Sequence, residues 1–210
     1  MWYNKEQIKF LSTWVNVMGD ERRLITQQTD ELLTVLNRQR HDWLNHVQVL
    51  LGYLHLNRTE QGEAHLKRIA EMAMQESMIA RLGNSLLSVF FLTFNALNKE
   101  MLLDVDVCEK VNLSHIVLDE QSLFQMVSEI LCTVNEHVAQ DGYEPASMQV
   151  SLFTGESGVH FRFDLAGELT ASGLDELEKL VRKSEQSAVE VTEWIHTEEE
   201  WILELIVPFS

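Results

Sequence analysis

Arg40-His41-Asp42-Trp43-Leu44-Asn45-His46-Val47-Gln48-Val49-Leu50-Leu51 is the stretch from which the rest of the chain can be arranged. Apolar residues recur at Leu33, Leu36, Trp43, Leu44, Val47, Leu50, Leu51 and Leu54. Steps of three and four make one stripe at helical period, so the stretch reads as the middle of a long helix over about 21–56. His41, Asn45, Gln48 and Gly52 follow the same period one step round the cylinder, with Asn37 and Arg38 a turn earlier. They form a polar strip beside the apolar stripe. An imidazole on that strip is anchored on a rigid element and open to a visitor.

Outward from this helix, Asn57-Arg58-Thr59-Glu60-Gln61-Gly62 carries turn chemistry. A second helix is expected from about Glu63 to Leu82, with Leu66, Ile69, Ala70, Ala73, Met74, Met78 and Leu82 on one side. Two helices joined by a short loop make an antiparallel hairpin. One hairpin cannot cover so long an apolar face, and two paired across a two-fold axis complete a four-helix bundle. A homodimer is therefore expected. Met72, Met74 and Met78 read as core filler. On the N-terminal side, Ile8, Leu11, Trp14, Val15 and Met18 mark an amphipathic segment, and Gly19-Asp20 reads as a break.

Beyond Gly83-Asn84-Ser85 the pattern changes. A helix over Ser85 to Glu100 gives way to strand-like alternation over Leu102 to Cys108. Asp119 to Ala139 is amphipathic helix again, and Asp141-Gly142-Tyr143-Glu144-Pro145 is a turn. Met148 to Phe153 and Val159 to Leu165 read as a hairpin, Asp175 to Lys183 as a short helix, and Val189 to Ile195 with Trp201 to Val207 as a closing strand pair. The organisation expected is an N-terminal segment over 1–20, a helical hairpin over 21–84, and an α/β domain with a mixed sheet and helices on one face over 85–210.

Composition narrows the function classes. A net charge of −17 argues against nucleic acid as the main partner. The charge is uneven: residues 37–68 hold five Arg or Lys against three acids, whereas Asp164 to the end holds twelve acids against three bases. The helix bearing His41 is a basic island on an acidic protein. No apolar run approaches the roughly 20 residues that span a bilayer, and the N-terminus has no signal-peptide pattern. Cys108 and Cys132 are read as reduced, buried thiols, and the protein as cytoplasmic. No membrane partner is expected.

The polar strip suggests a chemistry. A neutral imidazole attacks phosphorus readily at cytosolic pH. Asp42 could accept a hydrogen bond from one ring nitrogen and leave the other free to attack. Asn45, one turn on, could orient the ring or meet phosphoryl oxygens. Arg38 and Arg40 supply positive charge where a trigonal phosphoryl group would pass, and Gln48 extends the same strip toward a docked partner. His41 and His46, five apart, point away from each other, and the remaining histidines show no ligand spacing.

Arg40-His41-Asp42-Trp43-Leu44-Asn45, continued by Val47 to Leu54, resembles the phosphoacceptor helix shared by the sporulation initiation phosphotransferase B family and by sensor histidine kinases with an Arg-His-Asp box. Leu92-Thr93-Phe94-Asn95 also resembles a segment of that phosphotransferase family. The resemblance implies a dimeric four-helix bundle flanked by α/β-sandwich domains shaped like the histidine-kinase ATP-binding domain. Where kinases carry asparagines that hold magnesium and nucleotide, this chain has Glu129 and Thr133. Asp164-Leu165-Ala166-Gly167-Glu168 stands where kinases have an Asp-x-Gly-x-Gly loop, and both glycines of that pattern are missing. Without them the backbone cannot approach phosphates closely.

The resemblance thus implies a degenerate ATP-binding domain and a histidine phosphotransferase that uses no ATP. It passes a phosphoryl group from the aspartyl phosphate of one response-regulator receiver, through His41, to the aspartate of a second. No cofactor is expected in this chain, and the catalytic Mg2+ is expected in the receiver. Two alternatives remain open at this point. One is an ATP-dependent histidine kinase with an unusual pocket. The other is a non-catalytic dimeric scaffold that binds receivers without a phosphohistidine.

Overall fold

Apolar periodicity carries the first helix much further than the expected segment. The computed structural model describes residues 5–108, 111–139 and 145–210, with side chains from Thr26 onward. Helix α1 runs unbroken over Lys5–His55. The break expected at Gly19-Asp20 is absent. One helical glycine costs only about 1 kcal/mol relative to alanine, and the backbone ladder of a 51-residue helix absorbs it. The stripe from Ile8 to Met18 lies outside the described side chains, and most of the turn expected at 141–145 lies outside the described residues.

The chain divides into two units after Val47. The first holds the helical stretch through Val47. The second begins with the last turns of α1. That helix ends in a left-handed cap: Asn57 has φ 52°, Asn57 N–H donates to Leu54 O at 3.1 Å, and Arg58 N–H donates to Tyr53 O at 2.9 Å. This pair of bonds satisfies carbonyls that the helix end would otherwise leave open. Helix α2, Thr59–Ile79, therefore starts four residues earlier than expected, and Gly62 lies inside it rather than in the turn. Gly62 is buried with its Cα side near Tyr53, and the Tyr53 ring meets His65 edge-on at 6.2 Å.

Helix α3, Ser85–Leu97, is capped twice. Asn84 Oδ1 accepts from Leu87 N–H at 2.9 Å, and Glu120 Oε1 accepts from Ser85 N–H at 2.6 Å. Gly83, with φ +80°, makes the corner before it, packed so close to Asn112 that a side chain there would collide. Strands β1 Met101–Val107, β2 Ala146–Thr154, β3 Gly158–Ala166, β4 Glu190–His196 and β5 Glu200–Pro208 form one sheet in the order β1-β2-β3-β5-β4. β1 and β2 are parallel and the other pairs antiparallel. The crossover between the parallel strands contains α4, Glu120–His137, as parallel pairing requires. Helix α5, Ala171–Glu185, connects β3 to β4.

Alternation sorts the sheet into two faces. On β3, Val159, Phe161, Phe163 and Leu165 are wholly buried, while His160, Arg162 and Asp164 on the other side are partly exposed. The buried side packs with Leu123, Val127, Ile130 and Leu131 of α4 and Leu177 of α5. An N-terminal helical region followed by an α/β sheet domain is the observed fold class.

Two burial expectations fail. Cys108 and Cys132 are free but exposed. Cys108 follows the last residue of β1, and Cys132 sits on the outer side of α4, one step round from buried Leu131. Partial burial, and then the Glu136 carboxylate, push the Cys132 thiol above its ordinary range. Of the methionines taken as core filler, Met72 and Met74 are exposed in the single chain, and only Met78 packs against the core.

Candidate functional site

His41 stands on the exposed polar strip of α1. Its side chain is 73% exposed, so no part of its own unit shields it. Asn45, one helical turn on, brings its amide nitrogen within 3.1 Å of His41 Nδ1. Asp42 Oδ1 lies 3.7 Å from the same nitrogen. Both neighbours therefore act on Nδ1 and leave Nε2 to whatever docks. The amide orientation decides the tautomer. With nitrogen toward the ring, Asn45 donates to Nδ1 and the ring proton sits on Nε2. With oxygen toward the ring, Asn45 accepts Nδ1–H and Nε2 carries the free lone pair.

The two arginines behave differently. Arg40 donates from Nη2 to Asn37 Oδ1 at 3.1 Å, back along the helix and away from His41. Arg38 is half-buried. Gln48 opens the second unit and is exposed. Beside the strip, Leu33, Leu36, Trp43, Leu44 and Val47 are all exposed large apolar residues.

In the second unit, Glu129 and Thr133 lie on α4 at the groove against α5. Glu129 accepts from Gln125 Nε2 at 2.6 Å and lies 3.9 Å from Lys183 Nζ. Glu136, Glu176 and Lys179 line the same groove. Deeper between the two helices is a cavity of about 130 Å³ beside Ser122, Gln125 and Ser184. At the helix ends, Gly173 of α5 packs directly on His137 of α4 with no room for a side chain. Asp164, Leu165 and Ala166 are the last residues of β3, and Gly167 N–H donates to Glu199 O at 2.9 Å, so this stretch is committed to the β-hairpin beside it.

Sequence reading passed over a charged cluster on the open sheet face. Arg162 pairs with Glu193 and, at 3.2 Å, with Glu204, and His160 Nδ1 lies 2.9 Å from Glu204 Oε1. Register puts Arg162, Glu204 and Glu193 side by side on three strands, a juxtaposition with no local signature. Burial opposes the Glu204 charge, but hydrogen bonds from His160 and Arg162 outweigh it and hold the carboxyl below its usual range. The Glu193 hydrogen bond raises Arg162 further above its ordinary value. Arg162→Ala should cost on the order of 1 kcal/mol at neutral pH. A carboxyl with a depressed folded pKa stabilises above its unfolded value of 4.5 and loses that contribution as pH falls through the folded value. Urea unfolding at a series of pH values should therefore show the variant and the parent converging in acid.

Two family models match successive parts of the chain. Residues 21–82 match the alpha-helical domain of the SpoOB-type sensor kinase. Residues 83–208 match the C-terminal domain of sporulation initiation phosphotransferase B. Sporulation initiation phosphotransferase B of Bacillus subtilis (strain 168) is similar to this chain, 31% identical over 86 residues. That stretch is 41% of this chain and 45% of the relative, so the chain spans under half the length of the curated relative it matches. Among solved structures, a bacterial phosphotransferase is 14% identical with a TM-score of 0.38, over 84% of this chain and 95% of that one. A blue-light activated histidine kinase of Erythrobacter litoralis is 15% identical with a TM-score of 0.45, over 72% of this chain and 50% of that one. Among the described residues, no helix is long and apolar enough to cross a membrane.

Proposed function

The chain belongs to the family of sporulation initiation phosphotransferase B, and from that premise we propose that it is a phosphorelay histidine phosphotransferase acting through His41. The observation that carries this reading is an exposed imidazole whose Nδ1 is engaged by Asn45 at 3.1 Å and approached by Asp42 at 3.7 Å. Once the Asn45 amide turns its oxygen to Nδ1–H, or Asp42 draws in to accept that proton, the Nε2 lone pair attacks the phosphorus of a receiver's aspartyl phosphate. A P–N bond forms, the P–O bond to the acyl oxygen breaks, and the aspartate leaves as a carboxylate. The second receiver's aspartate reverses the same exchange. Positioning and electrostatics supply most of the rate, and little covalent machinery is needed.

Partners and cofactors follow from this chemistry. The donor and the acceptor are response-regulator receivers, and Mg2+ belongs to them. Arg38, Arg40 and Gln48 are the docking residues on the strip, since the positive charge there complements an acidic phosphorylation site. A second copy of the chain covers the exposed stripe from Leu33 to Val47 and completes a four-helix bundle. The α/β domain takes no nucleotide in this reading. Three carboxylates, Glu129, Glu136 and Glu176, outnumber Lys179 and the nearby Lys183 in the α4–α5 groove, a balance that disfavours a polyphosphate. Such a protein works in the cytoplasm, where its receivers are.

The deciding experiment offers the protein either labelled Mg-ATP alone or a labelled phosphorylated receiver, and scores acid-labile phosphate on this chain. Label from the receiver only is the expected result. Label from ATP alone would make it a kinase, and receiver binding without label would make it a scaffold. In the receiver-driven reaction, Arg38→Ala and Arg40→Ala should each slow transfer by roughly three- to tenfold at low salt, with the deficit shrinking as salt rises. Unchanged rates would make the basic island a merely solvated face.

A further inference from the structure

Strand β1 forms one rim of the sheet, with β2 its sole strand neighbour among the described residues. A rim strand presents unpaired N–H and C=O groups, which must be covered or left to solvent or to a foreign strand. On β1 two side-chain amides cover three of them, Leu103 N–H, Leu103 O and Val107 N–H. Asn95 of α3 uses both halves of its amide on one residue: Nδ2 donates to Leu103 O at 2.7 Å, and Oδ1 accepts Leu103 N–H at 2.8 Å. Gln75 of α2 meets one backbone group four residues along and a side chain beside it. Its Oε1 accepts Val107 N–H at 3.1 Å, and its Nε2 donates to Asp106 Oδ1 at 2.8 Å. A carboxamide carries the same donor and acceptor pair as a peptide group, so these two stand where a further strand's backbone would.

The two amides come from helices on either side of one corner, and that corner is itself tied. Ser88 Oγ donates to Ile79 O at 2.7 Å, and Leu113 N–H donates to Leu82 O at 2.7 Å. Ile79, Leu82 and Leu87 are buried there.

We propose that Gln75 is a latch: its amide, bridging α2 to the free rim of β1 at Asp106 and Val107, locks α2 and the α/β domain into one rigid body and, with Asn95, closes that rim to strand addition. The latch is a positioning device and does not depend on the role assigned to His41. Releasing it loosens α2 against β1, so that its distance from the sheet spreads within what the tied corner allows, and bares the Val107 N–H.

The test uses the full chain with Cys108→Ser and Cys132→Ser, spin-labelled at Glu71→Cys on α2 and Glu156→Cys in the β2–β3 turn, and diluted with unlabelled chains. Electron–electron double resonance should give one narrow distance distribution. Gln75→Leu should broaden it and speed hydrogen exchange at the Val107 amide by roughly five- to tenfold, the loss of one net hydrogen bond. Gln75→Glu guards against a leucine variant that misfolds. It sets a carboxylate against Asp106, so the distribution should be broad at about pH 8 and narrow toward about pH 5, once the new carboxyl takes a proton and can donate. A broad distribution in the parent would overturn the proposal. So would a Gln75→Leu variant unchanged in both width and exchange.

Discussion

His41→Ala is expected to abolish phosphoryl transfer from a phosphorylated receiver, by more than about a thousandfold, while fold and oligomeric state are expected to persist. The size of the loss follows from the role. A nucleophile that becomes covalently linked in the intermediate has no substitute, and Asn45 and Asp42 offer no comparable lone pair on the polar strip. The mildness toward folding follows from geometry. The imidazole is largely exposed, and its removal costs one surface hydrogen bond to Asn45. Such substitutions shift stability by no more than about 0.5 kcal/mol. Purified relay components, assayed with matched circular dichroism and sedimentation of the variant, separate the two effects. Transfer that survives His41→Ala in this assay would end the phosphohistidine reading outright.

Phe161→Ala is the opposite case, with a large effect on folding and none specific to chemistry. Phe161 lies on β3, in register with Leu152 of β2 and Leu205 of β5, and is wholly buried. Removing the ring loses its transfer free energy and leaves a cavity between the sheet and the helices packed on it, which the hydrogen-bonded strands can collapse into only in part. The expected cost is about 3–5 kcal/mol, a large fraction of the stability of any domain this size. Denaturant unfolding followed by tryptophan fluorescence reads it, because Trp194 and Trp201 both contact or belong to the same core. A loss below about 1 kcal/mol would mean that the sheet core is far looser than its packing indicates.

The contrast between these residues explains how much of the protein was legible beforehand. Phe161 and its neighbours announce a strand by strict alternation, and the core face of β3 can be read directly from Val159, Phe161, Phe163 and Leu165. His41 and Asn45 are four apart on one helix, so the local period alone brings them together. The cap at the end of α1 is equally local, resting on Asn57 in a left-handed conformation. The misplaced turn at Gly62 shows the limit of such reasoning. Gly62 looked like a breaker, yet it sits inside α2, buried near Tyr53 at a distance where even a Cβ would make ordinary contact. Gly19-Asp20 likewise looked like a stop, and the helix passes through it.

What the sequence by itself determined is set by contacts a few residues apart: most helix and strand segments, the core face of the sheet strands and of α4, and the pairing of His41 with Asn45. Tertiary structure alone decided the strand order β1-β2-β3-β5-β4, the row formed by Arg162, Glu204 and Glu193, the exposure of both cysteines, and the two amides on the rim of β1. The physical reason is separation along the chain. Gln75 meets Asp106 across 31 residues, and Arg162 meets Glu204 across 42. Hydrophobic period repeats locally and can be read from one segment, whereas a hydrogen-bond partner is chosen only when two distant backbones come to lie side by side.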